Sequence, residues 1–450
     1  MRLPLNQAGS LTATRRRSLG AAAGALGVLA AACGPGGPGA GPAGTSKFTK
    51  PVTISWAIWS GPTWVEAQAE GARLFQAKHP NVTVETVGFK SQDENITKWV
   101  GGSGPHVAMA WETTLIDTGR QGMYLPLDPY IKRDAKAVPV QDYVEFQLKA
   151  HQWQGVGQFA LPMYIASQAL WYNKTLFQTK GVALPDDTWD WTKYQDALVK
   201  LTARDQGVWG GFEPSAWEVG TMKILANGGQ VVDPNDDRKA AFTSGPALDA
   251  LQWVHDRLWR DRTMILGADA RTAGHKDGFA MLAAGKAATW EQLSWAPGDF
   301  ARDFPDGVKD VDFALVPKAK QRTTFASIDA WAIWKGAPEA EAAWELMKFL
   351  QTPEWLDLQA RMAGIQHPRI SMQDQYVEVM KKGIPALSGK NLQAFTHPVR
   401  NRYARPGPIF RQQKDSWQAF TDAWNATMRR NEQPVADAFR DAARRIEGLS

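Results

Sequence analysis

The chain has 450 residues, 51 Lys plus Arg against 46 Asp plus Glu, 44% hydrophobic content and a single Cys. That length exceeds one compact core, and the composition is too ordinary for a disordered or fibrous protein. The lone Cys excludes a disulfide framework or a Cys-based zinc or iron–sulfur centre. The net charge of +5 is misleading, because Arg2, Arg15, Arg16 and Arg17 all precede Cys33, and without those four the chain carries 47 basic against 46 acidic residues. A nucleic-acid surface would need a basic excess on the folded part, and none is present.

Thr14-Arg15-Arg16-Arg17-Ser18-Leu19 opens an apolar run, Leu19 to Ala32, that ends in Ala30-Ala31-Ala32-Cys33. Fourteen residues at ~1.5 Å each reach about 21 Å, short of the ~30 Å hydrocarbon core. Charged, apolar and small-residue regions in that order are those of an export signal over residues 1–32. It resembles a twin-arginine signal, with Ser18 where that pattern prefers Phe. The small residues before Cys33 resemble a lipobox, in which Cys33 becomes the lipidated first mature residue; two acyl chains suffice for stable anchoring. Residues 34–46 contain nine Gly or Pro, a composition that buries no core, so residues 33–47 read as a tether. Gly34-Pro35-Gly36-Gly37-Pro38-Gly39 matches a dinucleotide-binding fingerprint only by accident, since no strand precedes it.

Alternation of Val52, Ile54, Trp56 and Ile58 with Thr53, Ser55 and Ala57 predicts a strand. Gly61-Pro62-Thr63 opens a helix with Val65, Ala69, Ala72 and Phe75 on one stripe, stopped at His79-Pro80. A second strand follows at Val82 to Val87. This βαβ unit implies a mostly parallel sheet covered by helices. Further helices are expected at Glu94 to Val100, Thr113 to Gln121, Asp190 to Thr202, Ala247 to Arg260 and Pro338 to Gln351. Two more end the chain, carrying Trp417, Phe420, Trp424 and Met428, then Phe439 and Ile446. Strands are expected at Val107 to Ala110, Val311 to Val316 and Trp331 to Trp334. Three short stretches, 161–167, 325–329 and 363–368, read equally as buried strands or loops.

Trp171-Tyr172-Asn173-Lys174, followed by Pro185, Thr188, Trp189 and Asp190, resembles the extracellular sugar-binding proteins of ABC importers, the maltose-binding-protein class. Similar motifs follow in family order: Gly228-Gly229 before Val231-Val232-Asp233; Phe242-Thr243-Ser244-Gly245-Pro246; Gly285-Lys286-Ala287-Ala288 with Trp295; and Glu341-Ala342-Ala343-Trp344. Together they cover residues 50 to about 370. The resemblance implies an α/β, two-lobed periplasmic-binding-protein-like fold (type II) with three hinge crossings at the three ambiguous stretches. One lobe would comprise residues 48–164 plus 329–365 and the other 167–325 plus 367–450, with the ligand between them.

A neutral sugar needs flat apolar faces for its C–H side and polar groups for its hydroxyls. The 21 Trp fit that demand, although most read as packing residues, Trp253, Trp344 and Trp424 among them. Trp295 matches the family's aromatic clamp. Trp59 and Ser60 end the first strand, and Trp111 and Glu112 the third, at the strand edge where open α/β sheets bind ligands. Glu213 and Trp217 fall where the family places an acid and an aromatic. Asp329 and Trp331 flank the second crossing, and Arg369 follows the third. The resemblance therefore implies a non-enzymatic, monomeric binding lipoprotein without cofactor or metal, its partners being a carbohydrate, a membrane permease and, through Cys33, the membrane's outer face.

Two alternatives stand beside this. The same architecture could hold a glycerophosphodiester, polyamine or acidic sugar, with Arg361, Arg369, Arg400, Arg402 and Arg405 available to an anion. A glycosidase would need two carboxylates, for which Glu112, Glu213, Glu291 and Asp329 are candidates; no nucleophile elbow, metal helix or phosphate loop is present.

Overall fold

The computed structural model describes residues 47–449; the expected export signal and Cys33 lie outside them. Strand β1 (Val52–Trp59) leads through Pro62, fixed in φ for a first helical turn, into helix α1 (Pro62–Lys78). Strand β2 (Val82–Phe89) then pairs with β1 in parallel, in register from Val52 opposite Val82 to Trp59 opposite Phe89. Ser91 caps helix α2 (Gln92–Val100), its hydroxyl accepting from the Asp93 amide. Strand β3 (Val107–Ala110) joins the other side of β1, and helix α3 (Glu112–Arg120) follows it directly.

The sheet is completed by Ala330–Ile333, antiparallel to β3, and by Leu161–Pro162 at its edge. A second sheet, Thr289–Leu293, Gln168–Asn173 and Val311–Ala314, is antiparallel throughout. Within these two sheets, the mostly parallel arrangement expected from sequence therefore holds only for the first three strands. The βαβ crossover dictates direction between consecutive strands. Ala330–Ile333 enters the first sheet more than two hundred residues later, with no helical crossover to orient it.

Several motif residues have plain structural duties. Asn173 accepts from the Leu176 amide at 3.1 Å, capping helix Lys174–Thr179, and Asp190 caps Trp191–Leu201 through the Lys193 amide at 2.9 Å. Their oxygens satisfy amides that a helix start leaves without intrahelical partners.

The core of the first sheet is a cluster of indoles. Trp56 lies 5.6 Å from Trp331 and 5.0 Å from Trp355, both edge-on, and all three are fully buried. Helix α1 crosses helix Pro353–Ala363 at Gly71, where a Cβ would sit 2.4 Å from the Trp355 ring. In the second sheet Trp171 packs against Phe313 and Phe300 at 4.8 and 5.5 Å.

The three stretches that sequence leaves ambiguous run side by side. The Met163 amide donates to the Asp329 carbonyl at 3.1 Å, that of Ile165 to Gln366 at 3.2 Å, and that of Ala166 to the Ser327 hydroxyl at 3.1 Å. The Gln147 amide group donates to the carbonyls of both Tyr164 and Ser327. The carboxy-terminal helix Gln413–Trp424 packs on α3, and Asp117 accepts its first two amides at 3.0 and 2.9 Å.

Trp331 is fully enclosed in the indole cluster. Trp331→Ala should therefore cost about 3–5 kcal/mol of stability in urea unfolding, as large-to-small changes at packed aromatic sites do. A loss under 1 kcal/mol would place Trp331 outside the core.

Candidate functional site

Between the carboxyl ends of β1 and β3 on one side and the second sheet's flank on the other lies a cavity of about 370 Å³. Trp59 and Trp111 project from the two strand ends, their rings 5.2 Å apart. Opposite them stand Trp217, on the π-helical turn Ala216–Gly220; Trp295, at the start of helix Ala296–Asp303; and Trp417, on helix Gln413–Trp424. Trp59, Trp111, Trp295 and Trp417 are half-buried, so each keeps part of an indole free. Trp217 and Trp64 are buried, the latter edge-on to Tyr164 at 6.0 Å.

The polar floor is carboxyl-rich. Asp329 accepts the Glu112 amide at 2.9 Å on one oxygen and the Tyr164 hydroxyl at 2.6 Å on the other. Glu112 accepts the Trp217 indole N–H at 2.6 Å on Oε1, while its buried Oε2 has no hydrogen-bond partner. Gly407 sits against this bond; a Cβ there would lie 2.5 Å from both Glu112 Oε1 and Trp217 Nε1. Burial first, and then the neighbouring Asp329 charge, push the Glu112 carboxyl up to about 8; the Trp217 N–H opposes the shift. Burial likewise raises Asp329 to about 6 against the pull of its two hydrogen bonds. The Tyr164 hydroxyl is held well above its ordinary value by burial and by the charges of Asp329, Glu112 and Glu218. Asp299, also on the cavity wall, pairs with Arg302 at 2.8 Å.

Of the candidate residues, Trp59, Trp111, Glu112, Trp217, Trp295 and Asp329 line this cavity. Four do not. Ser60 lies beside β2, its amide donating to the Phe89 carbonyl at 3.0 Å and its Cβ facing Gly88. Glu213 is turned toward Arg429 at 3.4 Å. Trp331 is enclosed by the indole core and offers no free face. Arg369 pairs with Asp142 at 2.8 Å. Glu291, considered above as a carboxylate for hydrolysis, forms a buried ion pair with Lys223 and accepts from Gln168 at 2.6 Å.

Sequence reasoning did not single out Trp64, Thr63, Tyr164, Glu218, Asp299, Phe325 or Ser327, all on the wall, and read Trp417 only as part of a helix stripe. Tyr164, Phe325 and Ser327 belong to two of the ambiguous stretches, and Glu218 adjoins Trp217. Those neighbours were the available signal.

Residues 35–356 match the family described as bacterial extracellular solute-binding protein, and the chain belongs to that family. A curated protein of Brucella abortus, named there only as a binding protein, is 22% identical over 304 residues, 66% of this chain and 70% of that one. A mannitol-binding protein of Pseudomonas aeruginosa is 27% identical over 202 residues, 41% of this chain and 44% of its own. Among solved structures, the ABC substrate-binding protein of Listeria monocytogenes in complex with cycloalternan superposes with a TM-score of 0.78 at 18% identity, covering 89% of this chain and 99% of that one. A maltose-bound protein of T. maritima gives 0.71 at 18% identity over 89% and 100%. The fold is thus the two-lobed α/β fold of these proteins. Among the described residues, no helix is long and apolar enough to cross a membrane.

The Glu112 carboxyl binds a proton in the folded chain that the unfolded chain releases, over the interval from its ordinary value of 4.5 to about 8. Folding there takes up a proton, so stability falls as pH rises through the interval. Glu112→Gln should flatten the fall between pH 6.5 and 7.5, above the value of about 6 for Asp329, by up to ~1.4 kcal/mol per pH unit. Chemical denaturation across that range measures the slope, and an unchanged slope would refute the assignment.

Proposed function

We propose that the protein captures a carbohydrate in the cavity between two lobes, 48–164 plus 329–365 and 167–325 plus 367–450, and delivers it unaltered to an ABC importer's permease. The observation that carries this reading is the ring of four half-buried indoles around a hydrogen-bonding floor. An indole offers a broad rigid face with two rotatable bonds, so little order is lost when a pyranose stacks on it. The relatives' ligands support the same class: cycloalternan and maltose in two structural neighbours, and mannitol by name in a third protein.

Three crossings at 161–167, 325–329 and 363–368 would let the lobes close, and a sugar touching both walls would favour closure by its differential contacts. Export by the amino-terminal signal and tethering through a lipidated Cys33 would then place the binding domain on the outer face of the cytoplasmic membrane, acting as a monomer. Transport without hydrolysis accords with the floor. Both Asp329 oxygens already serve Tyr164 and the Glu112 amide, an arrangement suited to holding backbone and ligand rather than to attacking a glycosidic carbon.

A thermal-shift panel of neutral sugars, acidic sugars, glycerophosphodiesters and polyamines tests the reading. A carbohydrate should raise the melting temperature by mass action and be recovered chemically intact. Trp295→Ala should weaken that sugar at least about tenfold, ~1.4 kcal/mol, by isothermal titration. A response confined to glycerophosphodiesters or polyamines, or release of hydrolysis products, would overturn it.

A further inference from the structure

The cavity wall is one-sided in charge. Among the described residues its ionisable side chains, tyrosine aside, are Glu112, Glu218, Asp299 and Asp329, with no Lys, Arg or His. Asp299 has Arg302 as a partner from the rim. The other three have no basic partner: the Glu218 side chain makes no hydrogen bond or ion pair among the described residues, and the Asp329 and Glu112 carboxyls bond only to neutral donors. Glu112 is 7% exposed, and its Oε2 is unpartnered. A buried carboxyl oxygen without a partner is costly unless something else supplies the donor.

We propose that the ligand is a cationic sugar, a carbohydrate whose ring bears a protonated amine, seated with its ammonium toward Glu112, Glu218 and Asp329. This deepens the carbohydrate reading and rests on it. The donor and acceptor inventory favours it over a neutral sugar. A sugar hydroxyl both donates and accepts, so a wall built for hydroxyls alone would be expected to mix acceptors with Arg or Lys donors. The charged groups of this wall are all acids and its donors are neutral indole N–H and hydroxyl groups, whereas an ammonium brings three charged donors and no acceptor. The aromatic lining acts in the same direction. Trp59 and Trp111, 5.2 Å apart, and Trp417, 6.4 Å from the buried Trp217, share the cavity wall with these carboxyls. An indole face attracts a cation, more strongly once water is excluded. Burial first, and then the neighbouring acid charges, raise the Glu112 and Asp329 carboxyls, a cost that a bound cation beside them would relieve.

Isothermal titration of the full chain at pH 6.5 tests the inference with matched trios: glucosamine, N-acetylglucosamine and glucose, then the β-1,4-linked glucosamine dimer, its N-acetylated form and cellobiose, with spermidine as a non-sugar cation. The expected result is that a free amine binds at least about tenfold more tightly than both neutral members of its trio. Glu218→Gln should bring that ratio towards one. The second variant, Glu112→Gln, retains an oxygen for the Trp217 N–H and should do the same; because the ratio is taken within one variant, a general loss of affinity cancels. Neutral sugars that bind as tightly as their amines would overturn the cationic inference while leaving the carbohydrate reading intact. Binding of spermidine with no sugar of either kind, or no binding at all, would overturn both.

Discussion

A single buried carboxyl, that of Asp329, holds together the part of the molecule on which the rest depends. Its two oxygens join the Tyr164 hydroxyl to the first amide of α3, linking two of the connecting stretches to the end of β3. Burial alone would drive such a group neutral, and its two hydrogen bonds are what oppose that shift. Because α3 begins at Glu112, fixing that amide also fixes the Glu112 carboxyl, which reaches across the cavity to the Trp217 indole. Floor, near wall and far wall are thus one hydrogen-bonded chain.

The abundance of tryptophan divides into two physical uses. Trp56, Trp331, Trp344, Trp355 and Trp424 are enclosed and contribute by removing large apolar areas from water. Trp59, Trp111, Trp295 and Trp417 keep a face open to the cavity. The same side chain serves both because its body is apolar and flat, and only its neighbours determine whether the second face is covered. Trp331 shows how composition misleads: it sits two residues from Asp329, yet Asp329 precedes the strand while Trp331 lies within it, paired with Met109 of β3 and packed in the core beside Trp56.

Much of the local structure was legible beforehand. The β1–α1–β2 unit, the stop at His79-Pro80, the helix that begins at Asp190 and the short buried strand Val107–Ala110 follow from periodicity and from helix start and stop residues. The site was partly legible through strand ends, which is how Trp59, Trp111 and Glu112 were reached. Tyr164 and Ser327 were not, because they lie on stretches with no period, and Glu218 was not, because it sits on a π-helical turn whose spacing departs from the ordinary helical period.

What the sequence alone determined is the kind of element where periodicity is strong, the family, and a surplus of indoles beyond the needs of packing, since these rest on local sterics, on alternation of apolar residues and on motif order. Tertiary structure decided the direction of Ala330–Ile333, the sorting of Trp331 and Trp417 between core and cavity, and the convergence of Glu112, Glu218 and Asp329 on one wall. Those outcomes depend on contacts between residues up to three hundred positions apart, whose geometry no local pattern encodes.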